Sequence, residues 1–154
     1  MPSNVTSLLQ ELVHIPSVNP DNAPGTDQTG EAKMANYVQT YLENLDYDVT
    51  QEEVQPGRPN LIARAPGPEN RPRILLGPHL DTVGVAGMTI DPFAAELRDG
   101  KIHGRGSSDT KGPMAAMLQA LTNCQSLLSS LPVAIDFVGF MGEESSQWLS
   151  LIHI

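Results

Sequence analysis

Two residues that can bind a metal ion come directly after an apolar run in "LLGPHLDTVGV", residues 75–85. His79 and Asp81 are two positions apart, so on extended backbone their side chains point the same way. A histidine that binds a metal through one ring nitrogen commonly donates the proton of the other to a carboxylate, which fixes its tautomer. The pair therefore predicts a metal ligand, His79, with Asp81 orienting it. A turn or a helix cap at the end of a strand explains the same two residues.

Acidic residues occur at two further places where a carboxylate could reach the same site. Asp109 lies in "GRGSSDTKGP", a polar loop before a helix, where capping that helix is its ordinary role. Glu143 and Glu144 follow the apolar segment "AIDFVGFM". Two adjacent glutamates are commonly a solvated surface pair, but carboxylates that emerge from a buried strand need a cation or a shared proton. One glutamate on a metal and the other acting on water would meet that need.

The elements that must position these residues are two apolar segments. "RILLG" (residues 73–77) is a continuous apolar run, which is typical of a strand covered on both faces, and "PVAIDFVGF" (residues 132–140) is a second buried strand. In open α/β sheets, functional residues gather at the carboxyl ends of the strands. His79 with Asp81 and the glutamate pair both follow such ends, so we expect them to meet at one edge of a sheet.

The remaining pattern predicts three helices, two more strands and a hairpin. A first helix places Val5, Leu8 and Leu12 on one face, a second runs from about Gly30 to Leu45, and a third begins near Lys111–Pro113. The Met and Leu positions of the third helix, and Cys124 near its end, are expected in the core. "YDVTQEEV" and "NLIARA" predict strands, and "FAAELRDGKIHG" predicts a hairpin with its turn at Asp99-Gly100. Alternating helices and strands indicate an α/β sandwich.

Composition excludes several classes of protein. The 154 residues contain 40% hydrophobic and 18% charged residues, which is typical of one globular domain. A formal net charge of −9 argues against a nucleic-acid or anionic membrane partner. The single cysteine excludes an internal disulfide framework and a cysteine-rich zinc module. With no signal segment and no run long enough to span a membrane, we expect a cytoplasmic protein.

The three motifs together resemble those of a known enzyme family. "GPHLDTV", then "DPFAAELRDGKIHGRGSSDTKG" and then "MGEES" resemble the dinuclear zinc amidohydrolases and exopeptidases, which include acetylornithine deacetylase, succinyl-diaminopimelate desuccinylase, aminoacylase and glutamate carboxypeptidase. The resemblance runs from "LLQELVHIPSVNP" to about Ser146. It implies a zinc-exopeptidase-like three-layer sandwich, with a mixed sheet between helices.

The resemblance also implies roles for five residues. His79 corresponds to a ligand of one metal, Asp109 to the carboxylate that bridges both metals, and Glu144 to a ligand of the second metal. Asp81 corresponds to the residue that orients His79, and Glu143 to the general base. Two zinc ions about 3.5–4 Å apart activate water and polarise the scissile carbonyl, and Co²⁺ or Mn²⁺ suits the same ligands. The implied substrate is an N-acyl amino acid or a short peptide, cleaved at its amide bond.

The family pattern extends beyond this sequence. It implies a further acidic ligand, a histidine near the C-terminus of a longer chain, and an inserted second domain that supports dimerisation, whereas ten residues follow Glu144. We therefore expect residues 1–148 to be the N-terminal part of a catalytic domain whose full-length parent is a homodimer. The inserted domain is expected to be absent, and this chain by itself to bind metal weakly and show little or no turnover.

"LSLIHI", residues 149–154, can be back-translated to the nucleotide sequence of a transposon-end adapter, so we expect these residues to be non-native read-through. A non-catalytic binding or assembly module with the same fold is one alternative function. A metal-dependent esterase or lactonase is another.

Overall fold

The computed structural model describes residue 2, residues 4–22 and residues 26–146. The helices are α1 (Val5–His14), α2 (Ala32–Glu43), α3 (Lys111–Asn123) and α4 (Glu143–Ser146); the strands are β1 (Asp48–Gln55), β2 (Arg58–Arg64), β3 (Arg73–Leu76), β4 (Glu96–Arg98), β5 (Lys101–His103) and β6 (Ala134–Gly139). The predicted hexapeptide tail, residues 149–154, lies outside the described residues, and its interpretation stays a prediction. None of the helices in the described ranges is long and apolar enough to cross a membrane.

Four strands form a mixed sheet in the order β1-β2-β6-β3. β1 pairs antiparallel with β2, and β2 pairs antiparallel with β6. β3 pairs parallel with β6, with Leu76 opposite Phe137. Because β3 and β6 run in the same direction, the residues that follow them leave the sheet at the same edge. The predicted α/β fold with a mixed sheet is confirmed.

The helices pack their apolar faces on this sheet and on one another. A capping box begins α1, since the Asn4 side chain accepts a hydrogen bond from the backbone N–H of Ser7 and the Ser7 hydroxyl accepts one from the N–H of Asn4. α1 packs against α3, and α2 packs against β1 and β2. One core cluster joins the helices to the sheet; its largest fully buried apolar side chains are Phe137, Leu8, Leu12, Met34, Leu42, Leu45, Leu61, Leu80, Met114, Leu118 and Leu128.

A two-stranded hairpin precedes the loop that carries Asp109. β4 and β5 pair antiparallel, and their connection is Asp99-Gly100, as predicted. Both turn residues have positive φ, 52° and 71°, which matches the twist of a two-residue hairpin turn. The helix that was predicted to begin near Lys111–Pro113 begins at Lys111, and its Met114, Leu118 and Leu121 are buried.

Two predictions about burial are wrong. β3 is not covered on both faces: Ile74 and Leu75 are 50% and 48% exposed, because among the described strands β3 is an edge strand that pairs with β6 alone. Neighbouring residues of a strand point to opposite faces, so both faces of β3 are accessible. Cys124 is not packed in the core; it ends α3 as its C-cap and is exposed, because the buried face of that helix ends at Leu121.

Candidate metal centre

The carboxyl ends of β3 and β6 bring His79 and the glutamate pair together. A parallel bridge joins His79 to Phe140, one residue beyond β6. The Leu80 N–H donates to the Phe140 carbonyl at 2.6 Å, and the Phe140 N–H donates to the Pro78 carbonyl at 3.0 Å. The ladder between the two strands thus continues past their ends, and this fixes the two loops relative to each other.

The three predicted ligands of this chain form one cluster. His79 Nε2 lies 3.0 Å from Asp109 Oδ1, and one ligand atom each from His79, Asp109 and Glu144 lie within 4.8 Å of one another. His79 is nearly buried, whereas the Asp109 side chain is 79% exposed. Glu143 Oε2 is 4.0 Å from the same His79 nitrogen. The structure therefore brings together side chains that the sequence places up to 65 positions apart.

Asp81 lies behind this cluster and has no exposed side-chain surface. Its Oδ1 is 3.3 Å from His79 Nδ1, and the backbone carbonyl of Asp81 is 3.0 Å from the same nitrogen. The carboxylate also accepts the N–H groups of Glu143 at 3.1 Å and Glu144 at 3.0 Å, and the side-chain amide of Asn19 at 2.7 Å. One buried carboxylate therefore orients the imidazole and the start of α4 together.

The loop that carries Asp109 is held by a buried lysine. Lys111 is 1% exposed, and its Nζ donates to the Ile15 carbonyl at 2.7 Å. Burial lowers the pKa of this amine to about 7. Asp109 itself does not cap α3, because the N-cap is Thr110 and no side chain bonds there. The side-chain partner of Asp109 is His79 instead.

Burial and hydrogen bonding together set the pKa values of the cluster. Burial lowers the pKa of His79, but hydrogen bonds with Asp81 and Asp109 raise it more, to about 9. Burial acts to raise the pKa of Asp81, yet hydrogen bonds from His79, the Glu144 backbone and Asn19 outweigh it and hold that pKa below its ordinary value. The pKa of Glu144 is raised, mainly by burial and further by the neighbouring carboxylates.

These residues fit a divalent metal ion. Imidazole nitrogen and carboxylate oxygen are ligands that zinc accepts, and His79 Nε2 faces the carboxylates while Nδ1 faces Asp81, as in carboxylate–histidine–metal arrangements. Burial and, after it, the neighbouring carboxylates raise the pKa of Glu144, so a bound cation would stabilise its charged form. Asp109 and Glu144 also line a cavity of about 250 Å³ beside the cluster, which leaves room for a small substrate.

Three residues at this site were not singled out from the sequence. Asn19 binds Asp81, while Glu31 and Asn60 accept the N–H groups of Gly142 and Met141 at 3.2 and 3.0 Å. Asn19 lies in a loop, Glu31 directly precedes α2 and Asn60 lies on β2. Each is a single polar residue with no local motif around it. Their burial, between 0% and 3% exposed, is the signal that distinguishes them, and it requires the tertiary structure.

Comparisons of the sequence and the fold relate this chain to known proteins. The model of "Peptidase family M20/M25/M40" matches residues 75–151, half of the chain. The N-formyl-4-amino-5-aminomethyl-2-methylpyrimidine deformylase of Halalkalibacterium halodurans is 32% identical over 143 residues, which are 90% of this chain and 32% of that protein. The succinyl-diaminopimelate desuccinylase of Methylobacterium radiotolerans is 34% identical over 122 residues, 77% of this chain and 29% of that protein.

A solved structure shows the same fold. The M20 family metallo-carboxypeptidase of Sulfolobus solfataricus superposes with a TM-score of 0.73 and 26% identity, over 93% of this chain and 31% of that one. The chain thus spans about a third of the length of these relatives. The family match covers all three motifs that the sequence analysis singled out, and this chain belongs to peptidase family M20/M25/M40.

Proposed function

We propose that His79, Asp109 and Glu144 hold a divalent metal centre for hydrolysis of the amide bond of an N-acyl amino acid or a short peptide. The observation that carries the proposal is the convergence of one nitrogen and two carboxylate oxygens within 4.8 Å of one another, with a buried carboxylate on the second ring nitrogen. Zinc suits this mixed donor set, and Co²⁺ or Mn²⁺ suits it on the same grounds. In this proposal Asp109 would be the carboxylate shared by the two ions of a two-metal site, as the family resemblance implies.

The metal and Glu143 have separate tasks. Divalent metal bound at such a site supplies Lewis-acid activation of a carbonyl oxygen and of water. Glu143 is the general base: its carboxylate is 35% exposed, and its Oε2 lies 4.0 Å from His79 Nε2, at the rim of the cluster. It takes the proton from the attacking water and returns it to the leaving amine. Proton transfer by a positioned carboxylate contributes about 10²–10⁴-fold in rate.

The proposed substrate class is supported by what the relatives are named for. A deformylase and a desuccinylase are named for removing an acyl group, and a carboxypeptidase for acting on a peptide. Because the chain spans about a third of their length, the activity of the whole protein is part of the proposal. We also propose that residues 1–148 form part of a catalytic domain and that the parent protein is a homodimer.

Metal binding and hydrolysis test this function in two steps. In the chain itself, titration with Zn²⁺ is expected to show a site whose affinity falls at least 100-fold in His79→Ala; equal affinity would contradict the proposal. In the product of the complete gene, Glu143→Gln is expected to keep the metal and lose hydrolysis of N-formyl, N-acetyl or N-succinyl amino acids by 10²-fold or more. Unchanged hydrolysis in that variant would remove Glu143 from the mechanism.

A further inference from the structure

Arg58 is a buried arginine that binds two carboxylates at once. It is 5% exposed, and its Nε and one terminal nitrogen donate to both oxygens of Glu31, at 2.9 and 2.6 Å. Its other terminal nitrogen donates to Asp21 at 2.8 Å and to Gln55 at 2.9 Å. Such a buried arrangement is costly to assemble and is strongly destabilised when one partner is lost. Both carboxylate partners of Arg58 connect it to residues beside the glutamate pair of the metal centre.

The first carboxylate, Glu31, reaches the turn immediately before the glutamate pair. It has no exposed surface, and its Oε1, which accepts a terminal nitrogen of Arg58, also accepts the N–H of Gly142 at 3.2 Å. Asn60 lies two positions after Arg58 on β2, so the two side chains share a face of the strand. Its side-chain oxygen accepts the N–H of Met141 at 3.0 Å. This arm holds the chain on the N-terminal side of Glu143.

The second carboxylate, Asp21, reaches the residue immediately after the pair. Its Oδ2 accepts both Arg58 at 2.8 Å and the hydroxyl of Ser145 at 3.3 Å. The same hydroxyl accepts the side-chain amide of Asn19 at 3.0 Å, and this amide also donates to Asp81. Through Asp21, Arg58 is thus connected to the C-terminal side of the pair.

We propose that Arg58 is a positioning residue that holds Glu143 and Glu144 in place from both sides. With Asp81 accepting the N–H groups of the pair, four successive backbone N–H groups, residues 141–144, are bound by side chains of Asn60, Glu31 and Asp81. Only a planar guanidinium can serve both oxygens of one carboxylate and reach a second carboxylate in a different direction. The inference rests on the proposed function, because it assigns Arg58 to the placement of a metal ligand and a base.

Arg58→Lys tests this role because lysine keeps the positive charge but lacks the planar guanidinium that binds both carboxylates. With Co²⁺ alone as the probe, we expect the variant to bind about tenfold more weakly than the unaltered chain, near the lower limit seen when a partner of a ligand is removed. The absorption of bound Co²⁺ is expected to shift as Glu144 moves. Hydrogen exchange at the Gly142, Glu143 and Glu144 amides is expected to accelerate relative to the rest of the sheet.

Two further variants make the result decisive. Leu128→Ala is the matched control: it opens a cavity in the core before the amino end of β6, while the metal centre lies beyond the carboxyl end, so it destabilises the chain without altering Co²⁺ affinity. Asp21→Asn changes a side chain that is 51% exposed, so we expect this variant to fold even where Arg58→Lys is unfolded. It is expected to weaken Co²⁺ binding about threefold.

The outcomes separate the two proposals. If His79→Ala binds Co²⁺ as the unaltered chain does, the metal centre itself is wrong. If His79→Ala loses Co²⁺ binding but Arg58→Lys binds Co²⁺ like the unaltered chain, the metal centre stands and the positioning role of Arg58 is overturned. Where Arg58→Lys is unfolded, the same conclusion follows from Asp21→Asn. Equal weakening in Leu128→Ala and Arg58→Lys would also overturn it, since the effect would then follow stability alone.

Discussion

Replacing Asp81 with asparagine changes one atom of a side chain on which several parts of the metal centre depend. In the protein, Oδ1 faces the N–H of Glu143 at 3.1 Å and His79 Nδ1 at 3.3 Å, while Oδ2 accepts from Glu144 at 3.0 Å and Asn19 at 2.7 Å. An amide has one accepting oxygen, so its NH₂ group must point at donors on one of the two sides. At least one backbone N–H of the pair therefore loses its acceptor.

The size of the effect follows from these contacts. A buried N–H left without a partner costs about 1–3 kcal/mol, and each remaining bond loses about 1 kcal/mol when its acceptor is no longer charged. Removing the charge relieves some of the cost of burying it, so we expect the free energy of unfolding to fall by about 2–4 kcal/mol. That is a large part of the ~5–15 kcal/mol typical of a domain. Zinc affinity is expected to fall about 10–100-fold, because His79 loses its orienting carboxylate.

Urea unfolding followed by far-UV circular dichroism measures the first quantity, and zinc titration measures the second. Asp136→Asn is the matched control: Asp136 pairs with Arg73 at the distal end of the sheet and accepts the N–H of Ala65 at 2.9 Å. It is expected to lower stability and leave zinc affinity unchanged. An Asp81→Asn protein that unfolds within 0.5 kcal/mol of the unaltered chain and binds zinc equally well would refute this reasoning.

Two further predictions concern the fold that supports the site. Tyr47 donates to the Ile135 carbonyl at 2.8 Å, and burial together with the charge of Asp136 raises its pKa to about 12. The stability that the protonated Tyr47 hydroxyl contributes is complete below pH 10 and is lost as the pH rises through about 12. Tyr47→Phe should lower the free energy of unfolding by about 1 kcal/mol at pH 7. In urea unfolding, this variant should lose less stability between pH 10 and pH 12 than the unaltered chain. Gly106→Ala should lower the free energy of unfolding by about 1–3 kcal/mol more than Gly100→Ala in the same assay. Both glycines have positive φ, so the backbone strain is shared. A methyl group at Gly106 would lie 2.7 Å from Thr82 Cγ2, whereas one at Gly100 would meet nothing within 4 Å. Equal costs for the two glycine variants would exclude the steric contact.

Local pattern was sufficient for the elements and for the proximity of the His79 and Asp81 side chains. The period of apolar residues placed α1, α2 and α3, and Asp99-Gly100 placed the hairpin, because these depend on neighbours within a few positions. The spacing of His79 from Asp81 predicted that their side chains meet, and they do, at 3.3 Å. The catalytic and ligand roles of these residues stay predictions until metal binding is measured.

Burial was the quantity that local pattern misjudged. The apolar run of β3 was expected under cover on both faces, yet Ile74 is half exposed because the described sheet ends there. Cys124 was expected in the core but lies beyond the buried face of α3. Both errors have the same cause: the type of a residue says whether it tolerates burial, whereas the elements that pack around it decide whether burial occurs.

By itself, the sequence determined that this is an α/β protein with His79, Asp109 and Glu144 at strand and loop ends, because apolar periodicity and short motifs act over a few residues. Only the tertiary structure decided that Asn60 and Glu31 bind the N–H groups of residues 141 and 142, with Arg58 behind Glu31, since β2 and β6 become neighbours only when the sheet forms. A lone polar residue on a strand carries no sign of its partner. Its role becomes visible when the backbone N–H that it must satisfy is brought beside it.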